Sequence, residues 1–275
     1  MAHLKCQLIC LAFLLHLLNV QVACGPSKRI INGFNATAKQ FPYQVFMDRY
    51  VNYFWYANCG GTIISSKWIL TAAHCIVDNA EAFNIYLGAV DKSNASEPGQ
   101  QQLLVKRSQV IVHPEYDAVR VLNDLALIRL PAELHFSAYI QPARLPDPKH
   151  LHGNENGLVS GWGVTDIQHP TSSNILQYYD VRILSLDDCT TLLHTLSPAM
   201  FVPQTFICLK PSGSTPCFGD SGGPLAKRNP DGSSTLLGVT SFRLDSTCQL
   251  NMPAIYTRVS SYLSWIKSHI DAPDC

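Results

Sequence analysis

Beyond residue 30 the apolar residues of this chain fall in short runs instead of long stripes. Thr62-Ile-Ile64, Ile69-Leu70, Asn84 to Leu87, Val110 to Val112, Leu125 to Leu130, Leu176 to Leu184, Leu236 to Phe242 and Ile255 to Val259 are β-branched or aromatic, and Gly, Pro, Asn and Asp separate them. Such runs predict strands, and many of them without an alternating helical pattern predict an all-β barrel or sandwich. The clearest helical spacing comes at the end, where Ser260 or Ser261 can cap a segment carrying Tyr262, Leu263, Ile266 and Ile270. The Pro-rich stretch 141–148 divides the chain beyond its leader into two similar lengths, and it is the expected crossing between two β units.

The first residues follow another pattern. Lys5 precedes an apolar run from Leu8 to Val20, too short to span a bilayer comfortably, and the small residues Ala23, Cys24 and Gly25 follow. Residues 1–24 are therefore expected to be a secretory signal peptide, with no membrane association after its removal. The remainder, about 250 residues, is long enough for a sizeable core.

Composition narrows the function classes. Twenty basic and twenty acidic residues, with no long run of one sign, argue against a nucleic-acid partner. Ten cysteines in an exported chain read as disulfide stock. Cys6, Cys10 and Cys24 lie in or beside the leader; the other seven are an odd number, so one stays unpaired unless Cys24 survives processing. Asn35-Ala-Thr37 and Asn94-Ala-Ser96 are sequons, and both asparagines are expected to carry glycans. Neither an HExxH motif nor paired zinc spacing is present, and no metal or cofactor is expected. His113, His194 and the other remaining histidines read as loop or surface residues, and the aromatic cluster Tyr50 to Tyr56 reads as packing at a barrel rim.

Three separated segments carry the chemistry: Thr71-Ala-Ala-His74-Cys75, Asn123-Asp124-Leu-Ala-Leu-Ile128 and Gly219-Asp220-Ser221-Gly-Gly-Pro224. A serine hydroxyl is a weak nucleophile at neutral pH. It needs an imidazole to take its proton and a carboxylate to hold that imidazole in the right tautomer. With these segments, Ile30-Ile-Asn-Gly33, Cys59-Gly-Gly61, Trp68 to Thr71, Gly161-Trp-Gly163, Gly238 to Phe242 and Tyr256-Thr-Arg-Val259, the chain resembles the chymotrypsin-like serine protease family over essentially all of 30–270.

That resemblance implies two six-stranded antiparallel Greek-key β-barrels, the first at about 30–145 and the second at about 146–260, and a C-terminal α-helix at about 261–271. It implies a secreted endopeptidase with Ser221 as nucleophile, His74 as general base and then acid, and Asp124 orienting His74. The backbone N–H groups of Gly219 and Ser221 would form the oxyanion hole. Residues 25–29 would be a short activation propeptide. Cutting after Arg29 would free the Ile30 amine to pair with the Asp220 carboxylate, because a buried carboxylate without a partner is costly. The implied disulfides are Cys59 with Cys75, Cys189 with Cys208 and Cys217 with Cys248. A bridge common in relatives is missing, and Leu158 or its neighbours and Lys227 stand at its ends.

The substrate pocket implied by the family involves Thr215 at its base, Phe218, Ser241 and Phe242 along the peptide, Arg243 at its mouth and Ala254 on its far wall. Thr215, where trypsin-like members carry Asp, argues against strict cleavage after Lys or Arg. A chymotrypsin- or elastase-like apolar preference is expected, unless Arg243 pairs with an acidic substrate group; Asp245 could neutralise it first. The expected partners are protein or peptide substrates, a trypsin-like activating protease and protease inhibitors, and the molecule is expected to be a monomer. The rival from another class is a non-catalytic homologue acting as a binding module. Gly219-x-Ser221-x-Gly223 also fits the nucleophile elbow of an α/β-hydrolase esterase, although its chain order of Ser, Asp and His is not the order here. Gly238 to Phe242 and Val259 to Leu263 lean toward digestive enzymes of insects.

Overall fold

The apolar runs form fourteen strands in two seven-stranded antiparallel sheets. The structure, a computed structural model, describes residues 33–76, 79–166 and 168–271, the side chains of residues 57 and 58 excepted. The expected leader and propeptide, with Arg29 and Ile30, and also Cys24 and Cys275, lie outside the described residues. In the first sheet β2 (Gln44–Val51), β3 (Phe54–Ile63), β4 (Trp68–Thr71), β5 (Ala82–Leu87), β6 (Gln101–Lys106), β7 (Val110–Val112) and β8 (Ala126–Arg129) run in the order β6-β5-β2-β3-β4-β8-β7. The second contains β1 (Phe34–Asn35), β9 (Asn156–Gly161), β10 (Gln177–Arg182), β11 (Phe206–Cys208), β12 (Pro224–Arg228), β13 (Ser234–Arg243) and β14 (Ala254–Arg258), in the order β1-β10-β9-β12-β13-β14-β11.

Each sheet curls over its own apolar side chains, which is the two-unit all-β architecture expected. The strand count is seven instead of six because short edge pairings extend each sheet. Phe34 pairs with Tyr178, so the first described strand joins the second sheet, and Val110–Val112 pairs with β8 at an edge of the first sheet.

Two helices need comment. Leu186–Leu196 forms α1, which the apolar pattern did not indicate. Its signal is at the start: the Ser185 hydroxyl accepts the Asp188 N–H at 3.1 Å, Asp187 and Asp188 suit the positive end of the helix, and Cys189 and Leu193 bury one face at i and i+4. The C-terminal helix α2 spans Leu263–Ile270 and starts later than expected. Ser260 and Ser261 are absorbed in a 3-10 turn over Val259–Tyr262, so neither caps it, and Tyr262 stands at the cap without a side-chain bond to the helix backbone. Two further expectations hold only in part. His113 lies in the loop after β7 but is buried, with its ring 4.8 Å from Trp265 and 5.4 Å from Tyr262, and Tyr53 to Tyr56 are exposed around the β2–β3 hairpin tip, where, among the described residues, only the Trp55 ring packs, 5.1 Å from that of Tyr50.

The sheets meet where side chains are missing. A Cβ on Gly60 would lie 2.9 Å from the Gly223 Cα, and the Gly60 N–H donates to the Ser221 carbonyl at 2.7 Å. Ser160 donates to Gln44 at 2.6 Å across the same boundary, and the core of the first sheet continues through Trp162, Ala226, Leu236 and Val239 of the second. At the missing bridge, Lys227 reaches past Leu158 to the Glu155 carboxylate at 2.6 Å. An ion pair thus fastens β12 to the start of β9 where a covalent link would otherwise stand.

Candidate active site

Strand β4 delivers His74 in a 3-10 turn, Ala73–Cys75. The Cys59–Cys75 disulfide ties that turn to β3, with Cα atoms 6.2 Å apart. Asp124 precedes β8, and Asn123, in a left-handed conformation at φ 53°, sets the bend. The Asp124 carboxylate is fully buried and is used at every edge. It accepts the His74 backbone N–H at 2.9 Å, His74 Nδ1 lies 2.8 Å away, and the Ser241 hydroxyl donates to it at 2.5 Å. Burial alone would raise its pKa. The imidazole's hydrogen bond and charge and the Ser241 hydroxyl outweigh that and hold it below the usual carboxylate value.

Ser221 sits in the turn ahead of β12, and its carbonyl is held by Gly60. Gly222 follows at φ 74°, where a Cβ would come within 2.2 Å of the Thr71 hydroxyl. Only glycine lets the serine loop approach the His74 strand this closely. His74 and Ser221 line one cleft of about 520 Å³ with Phe46, Arg49, Lys92 and Gly219. No hydrogen bond joins His74 to Ser221 among the described residues; such bonds are often long without substrate. A strand, not a helix, follows Ser221, and the nucleophile-elbow reading fails on that point.

Gly219, at φ 95°, packs against Gly163, and a Cβ on it would lie 3.2 Å from the Gly163 Cα. The N–H groups of Asp220, Gly222 and Gly223 are bonded to Cys217, Thr240 and Asp220 carbonyls. No such bond occupies those of Gly219 and Ser221 among the described residues, which leaves both able to donate to an oxygen. Between them, the Asp220 side chain turns inward. Its carboxylate accepts the Gly163 N–H at 2.8 Å and the Cys217 N–H at 2.9 Å, and Gly161 and Gly163 give it room: a Cβ on either would collide with it. Burial pushes its pKa up to about 6, against the pull of those two N–H groups and of Lys92.

Ser221 also borders a second cavity of about 190 Å³, lined by Phe218, Ser241, Phe242, Arg243, Asp245, Ala254 and the Cys217–Cys248 disulfide. Here two expectations change. Arg243 does not stay at the mouth: its guanidinium folds inward, donates to the Thr215 hydroxyl, to Asp245 at 2.8 and 3.0 Å and to the Gln249 carbonyl at 2.6 Å. Thr215, buried beneath it, does not line the cavity, so the floor is the arginine. The pair is only 10% and 7% exposed at Arg243 and Asp245. Burial would raise the Asp245 carboxyl, but the Gln249 N–H and the Arg243 charge hold it low. Sequence proximity pointed to Asp245 as a neutralising partner; the reach of Arg243 to Thr215, 28 positions away, had no sequence signal.

The other pairings expected from the sequence, Cys189 with Cys208 and Cys217 with Cys248, are both present. Asn35 and Asn94 are both exposed, the first on edge strand β1 and the second in a turn.

The family model described as Trypsin matches residues 30–266. A collagenase of Hypoderma lineatum is 35% identical over 88% of this chain and 87% of its own length. The serine proteinase stubble of Drosophila melanogaster is 32% identical over 91% of this chain, which spans only 32% of that longer protein. A solved collagenase structure superposes with a TM-score of 0.75 at 33% identity, covering 89% of this chain and all of the other.

Proposed function

We propose, on the premise that this chain belongs to the trypsin family of serine proteases, that it is a secreted endopeptidase, made as an inactive precursor, that hydrolyses peptide bonds through an acyl-enzyme on Ser221. The observation that carries this reading is the convergence on one cleft of Ser221 and of His74 backed by the buried Asp124. The Ser221 hydroxyl attacks the scissile carbonyl while His74 Nε2 takes its proton. Asp124, holding Nδ1–H, keeps Nε2 free for that transfer and stabilises the imidazolium. The oxygen that becomes negative is met by the N–H groups of Gly219 and Ser221. His74 then protonates the departing amine, and water repeats the sequence on the acyl-enzyme.

Activation by cleavage after Arg29 fits the buried Asp220 carboxylate. Burial raises its pKa, and among the described residues its direct partners are two backbone N–H groups, with no cation in contact with it. A new Ile30 amine would supply that cation. Three disulfides support an oxidising, extracellular destination. Glycans on Asn35 and Asn94 belong to the same proposal.

For the residue before the scissile bond, the pocket favours small to medium apolar side chains. Its cavity is short, and the Arg243 charge is already matched by Asp245, which leaves little for an acidic side chain to pair with. Cleaving the precursor after Arg29, labelling it with an active-site fluorophosphonate and profiling its peptide products tests the whole reading, with collagenous protein included among the substrates. Labelling that is absent in Ser221→Ala and apolar cleavage sites are expected. Labelling that persists in Ser221→Ala defeats the mechanism, and dominant cutting after Lys or Arg defeats the pocket argument.

A further inference from the structure

The segment His150-Leu-His152-Gly-Asn-Glu155 joins the Pro-rich crossing to β9, outside both cavities that Ser221 borders. The protein holds it firmly. Arg258, only 3% exposed, donates to the Leu151 carbonyl, and the Asn154 N–H donates to the Ile183 carbonyl at 3.1 Å. His152 takes a left-handed conformation at φ 57°. The rings of His150 and His152 lie 4.3 Å apart, and both meet one carboxylate: His150 Nε2 contacts Glu155 Oε1, and His152 Nδ1 is 3.3 Å from Oε2. One ligand atom from each of the three residues lies within 4.8 Å of the others.

We propose that His150, His152 and Glu155 bind a divalent transition-metal ion of the zinc class. Donors bonded to such an ion at about 2.1 Å stand roughly 3.4 Å apart, so small side-chain shifts seat it among these three. Two imidazoles and one carboxylate are a borderline-soft donor set that suits zinc better than calcium or magnesium, which take oxygen ligands. His150 is exposed, so water completes the coordination. Lys227 is the charged group facing the site from β12. It holds Glu155 Oε2 at 2.6 Å, which fixes the carboxylate's direction and leaves Oε1 toward His150, the part an outer partner plays at metal centres. Among the described residues, the other cluster of potential ligands, Cys59, His74 and Cys75, offers no thiolate because its sulfurs form a disulfide. An ion bound at Glu155 would clamp the 150–155 segment beside the Lys227 ion pair and stabilise the fold by mass action, with no part in peptide hydrolysis.

Isothermal titration of the full chain with zinc chloride, and its absorption spectrum with cobalt(II) in place of zinc, test the site. One equivalent of zinc and a visible cobalt band of low-coordinate type are expected. His150→Ala and Glu155→Gln are each expected to weaken zinc binding roughly tenfold or more and to remove the cobalt band, while His74→Ala keeps both. Unchanged binding in His150→Ala and Glu155→Gln, loss of uptake in His74→Ala, or no uptake at submillimolar zinc would overturn the proposal.

Discussion

Asp124 and Asp220 are two buried carboxylates that serve one serine loop, and their surroundings drive them in opposite directions. Asp124 faces an imidazole and a hydroxyl besides the His74 backbone N–H, and these hold it ionised in spite of its burial. Asp220 faces two backbone N–H groups, which orient it without matching its charge, and its pKa climbs to about 6. Burial is common to both, so the partners decide the ionisation. A carboxylate with an imidazole and a hydroxyl held against it can orient that imidazole at every turnover and stabilise the charge it acquires. One without such partners is costly when ionised, and it can act as a sensor for a cation that arrives later.

The contrast breaks most sharply at Asp124. Asp124→Asn keeps the shape but loses the acceptor that fixes the His74 tautomer, and kcat of the activated enzyme is expected to fall about 10⁴-fold, as the same change does in the serine protease template. Steady-state kinetics on a peptide substrate at neutral pH check this, and a loss below tenfold would remove Asp124 from the mechanism.

Next in size is the pH dependence of stability. The Asp220 carboxyl titrates higher folded than unfolded, so the folded chain binds more protons between the ordinary aspartate value of 3.8 and about 6. Stability from this group is therefore present at low pH and is lost as pH rises through that window, by about 3 kcal/mol. Asp124, with its lowered value, contributes in the reverse sense: its stabilisation is present above pH 3.8 and is lost as pH falls through the folded value. Denaturant melts of the uncleaved chain and of Asp220→Asn should diverge from pH 4 to pH 7, with the wild type losing ground. After cleavage at Arg29 the divergence should vanish, because the Ile30 amine would then stabilise the ionised form. Parallel curves before cleavage would refute the uncompensated state of Asp220.

The smallest effect sharpens the comparison. Ser241→Ala removes one donor from Asp124 and leaves the His74 pair intact, so a cost of about 1 to 3 kcal/mol in stability is expected with the His74–Asp124 pairing retained. If the Asp124 carboxyl, followed by NMR, titrates no higher in the variant, the hydroxyl is not part of what holds it ionised.

Much of the fold was legible along the chain because strands depend on local patterning: β4, β5, β7, β8 and β14 all coincide with apolar runs bounded by turn residues. Helix α1 was missed because its apolar face is thin, Cys189 and Leu193 between polar threonines and aspartates, although the Ser185 cap was there to read. At the candidate site, the His, Asp and Ser segments were recognisable because each is a contiguous motif. The inward fold of Arg243 was not, since whether a long cation leaves the pocket or plugs it depends on what lies within reach of its fork.

The linear order of residues by itself determined the all-β character, the three chemically distinctive segments and the stock of cysteines, because strand propensity, glycine spacing and residue chemistry are properties of near neighbours. Only the tertiary structure decided that Lys227 would meet Glu155 across 72 positions, that Arg243 would rest on Thr215 and form a floor, and that two aspartates of equal intrinsic acidity would titrate in opposite directions. Those outcomes depend on desolvation and on the partner found in space, and neither quantity exists until the chain has folded.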